Sequence, residues 1–170
     1  MYMFVEKKPK EIFENPFSLI GEDWMLLTAT KPDGSFNCMT ASWGGVGVLW
    51  GKPVFYCFIR PQRYTHEFSE AGDTLTASFF SSNYKKALTF CGKYSGRDVD
   101  KIKETGLTPV RDGNAVCFEE AKLVLVGKKL YRDEIRPEEI LDPSILDHYY
   151  PDKDYHTVYV FEIEKVLSCE

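Results

Sequence analysis

The apolar run Val54 to Ile59, VFYCFI, ends abruptly in Arg60-Pro61-Gln62-Arg63-Tyr64-Thr65. Two guanidiniums and a hydroxyl are thereby brought to one strand end. A guanidinium is a planar fork of donors that can grip two oxygens of a phosphate at once. Thr65 can cap a short helix beginning near His66 and offer its own O–H, and such a helix N-terminus adds free N–H groups and partial positive charge. The chemistry is that of anion binding. Upstream, Asn37-Cys38-Met39-Thr40-Ala41-Ser42-Trp43 alternates weakly. Its small residues Thr40, Ala41 and Ser42 would let a flat ligand lie against exposed main-chain groups. The residues alone leave two readings open: a site for a planar anionic ligand, or a core hairpin whose arginines are simply solvated.

The elements that must position these residues can be read from periodicity and punctuation. NCMTASW reads as one strand, GGVG as a glycine-rich turn, and VFYCFI as a second strand covered on both sides. Trp24 to Thr30 reads as the strand before them, joined by the tight turn Lys31-Pro32-Asp33-Gly34. The first twenty residues carry apolar Ile12, Phe13, Phe17, Leu19 and Ile20 around Asn15-Pro16, as a leading segment packed onto the body. Downstream, Thr65 to Ala71 reads as a helix closed by Gly72, and Thr74 to Phe80 as a β-branched and aromatic strand. Asn83 is expected to cap a helix from Tyr84 to Cys91 that Gly92 ends, and Ser95 one from Arg97 to Glu104 that stops at Gly106. Ala121 to Tyr131 reads as a strand with a bulge at Gly127, Arg132 to Asp154 as short helix and loop, and Tyr155 to Leu167 as the last strand. Many strands with few short helices and no βαβ rhythm predict a mainly β, antiparallel barrel. GGVGVLWG misses the G-x-G-x-x-G spacing of a dinucleotide-binding turn.

Composition narrows the class. The chain of 170 residues, spanning 1–170, fits one domain able to bury a core without metals or disulfides. A net charge of -5 argues against a nucleic-acid partner, so any bound anion must be held locally. The five cysteines, Cys38, Cys57, Cys91, Cys117 and Cys169, include no C-x-x-C pair, which disfavours a disulfide framework and a metal site. Charge follows Met1-Tyr2-Met3 at once and no apolar run is long enough to span a bilayer, so no signal peptide and no membrane partner are expected, and a cytoplasmic location is.

Four separated segments, NCMTASWGGV, IRPQRYTHEF, CGKYSGRDVDKIKETGL and HTVYVFEIEKV, together resemble the flavin reductase-like family of FMN-binding split barrels, particularly its flavoredoxin-like branch. The likeness runs in order from about Trp24 to the C-terminus. It implies an antiparallel Greek-key split β-barrel with FMN as cofactor. Met39, Thr40, Ala41, Ser42 and Trp43 would lie along the flavin ring or ribityl chain, and Asn37 would also belong to the cofactor site. Arg60, Arg63 and Thr65 would hold the phosphate, with Tyr64 packed beside them. Cys91, Lys93, Ser95 and Asp98 would belong to the loop that completes the pocket. His156 would stand on the nicotinamide side. Phe161 departs from the family, standing where a glycine is usual before Glu162, and its bulk is expected to narrow the pocket, shift the strand or alter the nicotinamide side.

The resemblance implies an NAD(P)H-dependent oxidoreductase acting on a flavin or small electron acceptor by hydride transfer to flavin N5, which needs no acid–base pair from the protein. It also implies a homodimer, to which the apolar Val48-Leu49-Trp50 adds weak support. A non-catalytic FMN electron carrier fed by a protein partner is the alternative, and a barrel binding another planar ligand or a protein is the third.

Overall fold

The computed structural model describes residues 4–169; the reading of Met1-Tyr2-Met3 lies outside them. The chain runs β1 (Phe4–Lys7), α1 (Pro16–Ser18), β2 (Met25–Thr30), β3 (Phe36–Ala41), β4 (Gly44–Leu49) and β5 (Lys52–Ile59). It continues through α2 (Tyr64–Ala71), β6 (Thr74–Phe79), α3 (Lys85–Lys93) and α4 (Lys101–Thr105) to β7 (Pro109–Asp112) and β8 (Ala115–Phe118). The last elements are β9 (Leu123–Glu134), α5 (Pro143–Tyr149) and β10 (Thr157–Cys169). Eight strands form one sheet in the order β3-β2-β6-β9-β10-β5-β4, with β1 also on β10, while β7 and β8 pair separately. Every pairing is antiparallel, as the sequence implied.

The edge strands β3 and β4 are consecutive in the chain, joined by Ser42 and Trp43, yet they are not hydrogen-bonded to each other. The sheet is therefore split at that point. Side chains alternate along each strand, so one strand can serve two cores. Leu27, Met39, Phe55, Ala77, Leu125 and Phe161 fill the inner cluster, with Phe68 of α2 closing it. Leu26, Cys38, Leu88, Cys91, Phe118 and Val124 form a second cluster between the sheet's outer face and the helices α3 and α4.

Several boundaries differ from the sequence reading for identifiable reasons. The segment GGVG is not a turn: it opens β4, where Gly44 to Gly47 pair with Cys57 to Val54. The turn falls at Trp50-Gly51, whose φ values of 52° and 71° fit a two-residue hairpin connection. VFYCFI is covered on one face only, for Tyr56 is exposed and Phe58 half-buried between buried neighbours. The leading segment docks through β1, Ile12, Leu19 and Ile20, but Phe13 and Phe17 are 90% and 87% exposed. Helix α2 starts at Tyr64 with Arg63 as N-cap, so Thr65 caps nothing. Asn83 lies in a 3-10 turn ahead of α3, and Gly92 lies within that helix. Helix α4 starts only at Lys101, where Asp100 accepts from the N–H groups of Ile102 and Lys103; Ser95 instead accepts from Arg97 N–H in the preceding turn. Strand β9 runs on through Glu134, and the β7–β8 hairpin was not read from the sequence at all.

A bulge does fall at Gly127, but the extra residue is on the partner strand, for Ile163 pairs with Gly127 and Lys165 with Val126. The extra residues at the two register shifts between β9 and β10 are Leu130 and Glu164. Gly127 is required by close approach: an added Cβ would lie 2.5 Å from Phe55 Cε1 and 2.7 Å from Phe161 Cβ. Phe161 and Phe55 stack at 5.1 Å with an interplanar angle of 18°. The missing side chain on β9 makes room for the large one on β10, so Phe161 fills the core. Gly127→Ala should therefore cost about 1–3 kcal/mol through overpacking, read as a lower urea midpoint with unchanged slope; an unchanged midpoint would show that the ring pair can shift freely.

Candidate functional site

At the split, the ends of β3 and β5, the turn before α2 and the start of β10 enclose a cavity of about 230 Å³. Its walls are Met39, Thr40, Ala41, Ser42 and Trp43 on one side and Phe58, Arg60, Arg63 and His156 on the other. Eight of these were singled out in the sequence. Phe58 was missed, although it shares a strand face with Arg60 by the two-residue period.

The β3 wall is fixed by helix α3. Met39 and Ala41 point to the inner core, whereas the Thr40 hydroxyl donates to Leu88 O on α3. An added Cβ at Gly92 would stand 3.3 Å from Thr40 Cβ, so helix and strand are already in contact there. Thr40 thus offers the cavity its backbone, its hydroxyl being committed elsewhere.

The two arginines differ in their charge environment. Arg60 pairs with Asp154 Oδ1 at 2.7 Å and donates to Tyr149 O at 2.9 Å and Asp154 O at 3.3 Å. Gln62 Nε2 donates to the other carboxylate oxygen of Asp154 at 2.6 Å. The Arg60 charge is thereby matched. Arg63 donates to Gly92 O at 3.0 Å and Cys91 O at 3.4 Å, and among the described residues no carboxylate lies within ion-pair distance of it. Burial pulls its pKa below the usual value, yet a guanidinium stays charged at any working pH. A half-buried cation held only by carbonyls keeps donors and charge for an anion.

His156 is buried, with Nδ1 2.7 Å from the Tyr150 hydroxyl and its ring 5.1 Å from that of Trp43. Burial, and then the nearby Arg60, push its pKa down to about 4, so the imidazole is neutral near pH 7. Burial raises the Tyr150 pKa, keeping its proton in place. The Tyr150 hydroxyl also meets the His156 backbone, and the direction of its bond to Nδ1 follows the ring tautomer. The segment 135–155, which carries Tyr149 and Tyr150, forms a strap beside the cavity, with Tyr149 edge-on to Trp43 at 5.2 Å. No sequence pattern marked Tyr149, Tyr150 or Asp154 for this place.

The remaining residues from the sequence reading fall elsewhere. Thr65 is fully buried, and its hydroxyl accepts from Asn37 Nδ2 at 2.8 Å. Asn37, Tyr64 and Asp98 line a neighbouring groove of about 710 Å³, together with Lys101. Cys91 is buried beneath α3, and Lys93 is exposed with Nζ 5.2 Å from the Tyr94 ring centre. Lys93 and Ser95 line neither concavity. Phe161, in the core, does not narrow the cavity. Among the described residues no group of three or more His, Cys, Asp or Glu is placed to hold a metal ion, and no helix is long and apolar enough to cross a membrane.

A family model described as flavin reductase like domain matches residues 17–168. Flavoredoxin of Desulfovibrio vulgaris (Miyazaki F) superposes with a TM-score of 0.68 at 22% identity, over 98% of this chain and 78% of that one. An FMN-binding domain of a flavin reductases-like enzyme from Shewanella baltica OS155 gives a TM-score of 0.70 at 13% identity, over 99% and 78%. A NADH:FAD oxidoreductase of Streptomyces globisporus C-1027, solved with NAD and FAD fragments, gives 0.64 at 16%, over 86% and 74%. No curated protein sequence matches the chain. These likenesses agree with the mainly β split barrel read from the sequence.

The depressed pKa of His156 has a thermodynamic consequence. The unfolded chain takes up the proton near pH 6.5 and the folded chain only near 4, so the contribution of the neutral ring is present above 6.5 and lost as pH falls through that window. The wild type should lose up to about 1.4 kcal/mol per pH unit there relative to His156→Gln. The imidazole NMR titration should have its midpoint near 4; a midpoint at 6.5 would contradict the buried, neutral ring.

Proposed function

The chain belongs to the flavin reductase like domain family, and on that premise we propose that it binds FMN at the split and works as an NAD(P)H-dependent reductase of a flavin or small electron acceptor. The observation that carries this reading is Arg63, a half-buried guanidinium without a carboxylate partner among the described residues, lining the same cavity as a run of small residues. That combination suits a flat ring joined to an anionic tail. Bound FMN would supply the capacity to accept a hydride at N5 and pass electrons on.

The protein's part is positional. Met39 to Trp43 form the wall against which the ring and ribityl chain lie, and Arg63 meets the phosphate. Arg60 binds the strap through Tyr149 and Asp154 and contributes field more than contact. His156, neutral near pH 7, offers a polar ring edge without acting as an acid, on the side where a nicotinamide would approach. Asn37 and Thr65 lie outside the cavity, where their mutual hydrogen bond ties β3 to α2. Asp98 lines the groove next to the cavity, where a longer flavin or dinucleotide would extend, whereas Lys93 and Ser95 take no part.

Exposed Val48 on the edge strand β4 and exposed Trp50 in the turn after it support a homodimer as the working form. A second reading, an FMN electron carrier that takes electrons from a protein, is favoured by exposed Phe17 near Trp43 at the rim of the site. Turnover separates the two. The protein, with a light-scattering mass of two chains, is expected to oxidise NADH or NADPH many times per active site once free flavin is present; a single FMN reduction without turnover would favour the carrier, and absence of any FMN-induced rise in Tm would overturn both.

Charge matching also orders the arginines. Arg63→Ala should weaken FMN binding by about 1.5–3 kcal/mol, the range for hydrogen bonds to charged groups, and so raise Kd roughly ten- to hundredfold. Arg60→Ala should change Kd less but lower Tm by freeing the strap. Fluorescence titration giving the reverse order would place the phosphate at Arg60.

A further inference from the structure

Arg63 has a neighbour of like charge. Lys101, on α4, is only 5% exposed, and its Nζ donates to Cys38 O at 2.6 Å and Cys91 O at 2.9 Å. Arg63 donates to that same Cys91 O at 3.4 Å and to Gly92 O at 3.0 Å. Two cations therefore share one carbonyl in the C-terminal turn of α3. Among the described residues neither has a carboxylate within ion-pair distance, although buried charge is costly without a counter-charge. Burial lowers the Lys101 pKa, and the Arg63 charge lowers it further. An ammonium has three donors, so with two of them on carbonyls a third is left for a ligand.

The pair also joins the two concavities. Arg63 lines the 230 Å³ cavity and Lys101 the 710 Å³ groove. Strand β3 passes along both, with Met39 on the first and Phe36 on the second, roughly 10 Å apart at the rise of a strand. Beyond Lys101 the groove presents the half-buried rings of Phe36 and Tyr64 and the exposed carboxylate of Asp98. Its other charges are engaged: Asp33 accepts from Ser35, Asp100 caps α4, Arg97 pairs with Glu67, and Lys31 Nζ lies 4.4 Å from the Phe68 ring centre.

We propose that Arg63 and Lys101 together hold the two phosphates of an adenosine diphosphate unit whose adenosine lies in the groove. Two like charges set side by side without a counter-charge suit a diphosphate better than a single phosphate, which would leave one of them unanswered. Asp98 accepts from the ribose hydroxyls, as carboxylates do in other dinucleotide sites, and the adenine lies along Phe36 and Tyr64. The unit occurs in FAD, whose flavin would fill the cavity, and in the nicotinamide dinucleotides. The inference deepens the flavin reading and rests on it only for what occupies the cavity.

The test is isothermal titration of the full chain with ADP, FMN, FAD and NADH. ADP should bind once per chain, and in Lys101→Met its Kd should rise roughly ten- to hundredfold, as for a lost charge-assisted hydrogen bond. Because Lys101 also braces two carbonyls, Asp98→Ala, at an exposed position, tests the groove without touching the core, and it too should weaken ADP. FAD binding more tightly than FMN, with ADP competing against FAD, makes the flavin dinucleotide the source of the unit; FAD and FMN binding alike, with ADP competing against NADH, makes it the nicotinamide dinucleotide. Absence of ADP binding, or an ADP affinity unchanged in both variants, would overturn the proposal. Binding of ADP but of neither flavin would uphold the groove and overturn the flavin reading, so the two failures are distinct.

Discussion

The arrangement of the site depends on where one guanidinium is held. Arg63 is the N-cap of α2, yet its side chain reaches the last carbonyls of α3, donating to Cys91 O and Gly92 O. Those carbonyls are the negative end of a helix, which suits a cation lacking a carboxylate. The grip fixes the β5–α2 turn against α3. Helix α3 in turn is fixed against β3 by the Thr40 hydroxyl on Leu88 O and by the contact of Gly92 with Thr40. Three elements distant in sequence are thus set around one concavity by a few polar contacts, while the inner core is assembled independently by apolar packing of the sheet.

On the opposite side, Arg60 organises the strap. Segment 135–155 carries only a 3-10 turn and the short α5, so burial alone cannot hold it. It is tied by Arg60 to Tyr149 O and to both the carbonyl and carboxylate of Asp154, and Gln62 adds a further bond. These ties bring Tyr150 to His156 Nδ1 and stand Tyr149 against Trp43. A loop whose residues are mostly exposed is tied down by polar contacts, and it hydrogen-bonds a ring at the start of the neighbouring strand.

This division explains what the sequence made legible. Strands β2, β3, β5, β6 and β10 were recoverable because their periodicity and the turns at Pro32-Asp33-Gly34 and Gly72 are local signals. Thr40 to Ser42, Arg60 and Arg63 were recoverable from residue type at strand ends, whereas Met39, Trp43 and His156 came from the family resemblance alone. GGVG misled because glycine is read as a turn, whereas here Gly44 and Gly45 allow β4 to lie close to Tyr56: added Cβ atoms would come 2.3 Å from Tyr56 O and 2.4 Å from its hydroxyl. Phe161 misled because its partner is Gly127, 34 residues away in the chain by their numbering and adjacent only through β9–β10 pairing. Tyr150 and Asp154 were invisible since only the fold brings them to His156 and Arg60.

The final arrangement has a polarity along its length that neither arginine alone conveys. At one end the charge of Arg60 is matched by Asp154, and His156 beside it is neutral, so that end carries dipoles and aromatic surface. At the other end the charge of Arg63 faces only carbonyls. The wall between them is the alanine, serine and backbone of β3 and its continuation. A ligand charged at both ends would leave one charge against a neutral, partly desolvated surface, and a wholly apolar one would leave Arg63 without an anion; both cost free energy. A flat neutral ring with a single anionic tail avoids both costs. Two residues of the same type, three positions apart, thus differ in charge environment, because among the described residues one meets a carboxylate and the other only carbonyls.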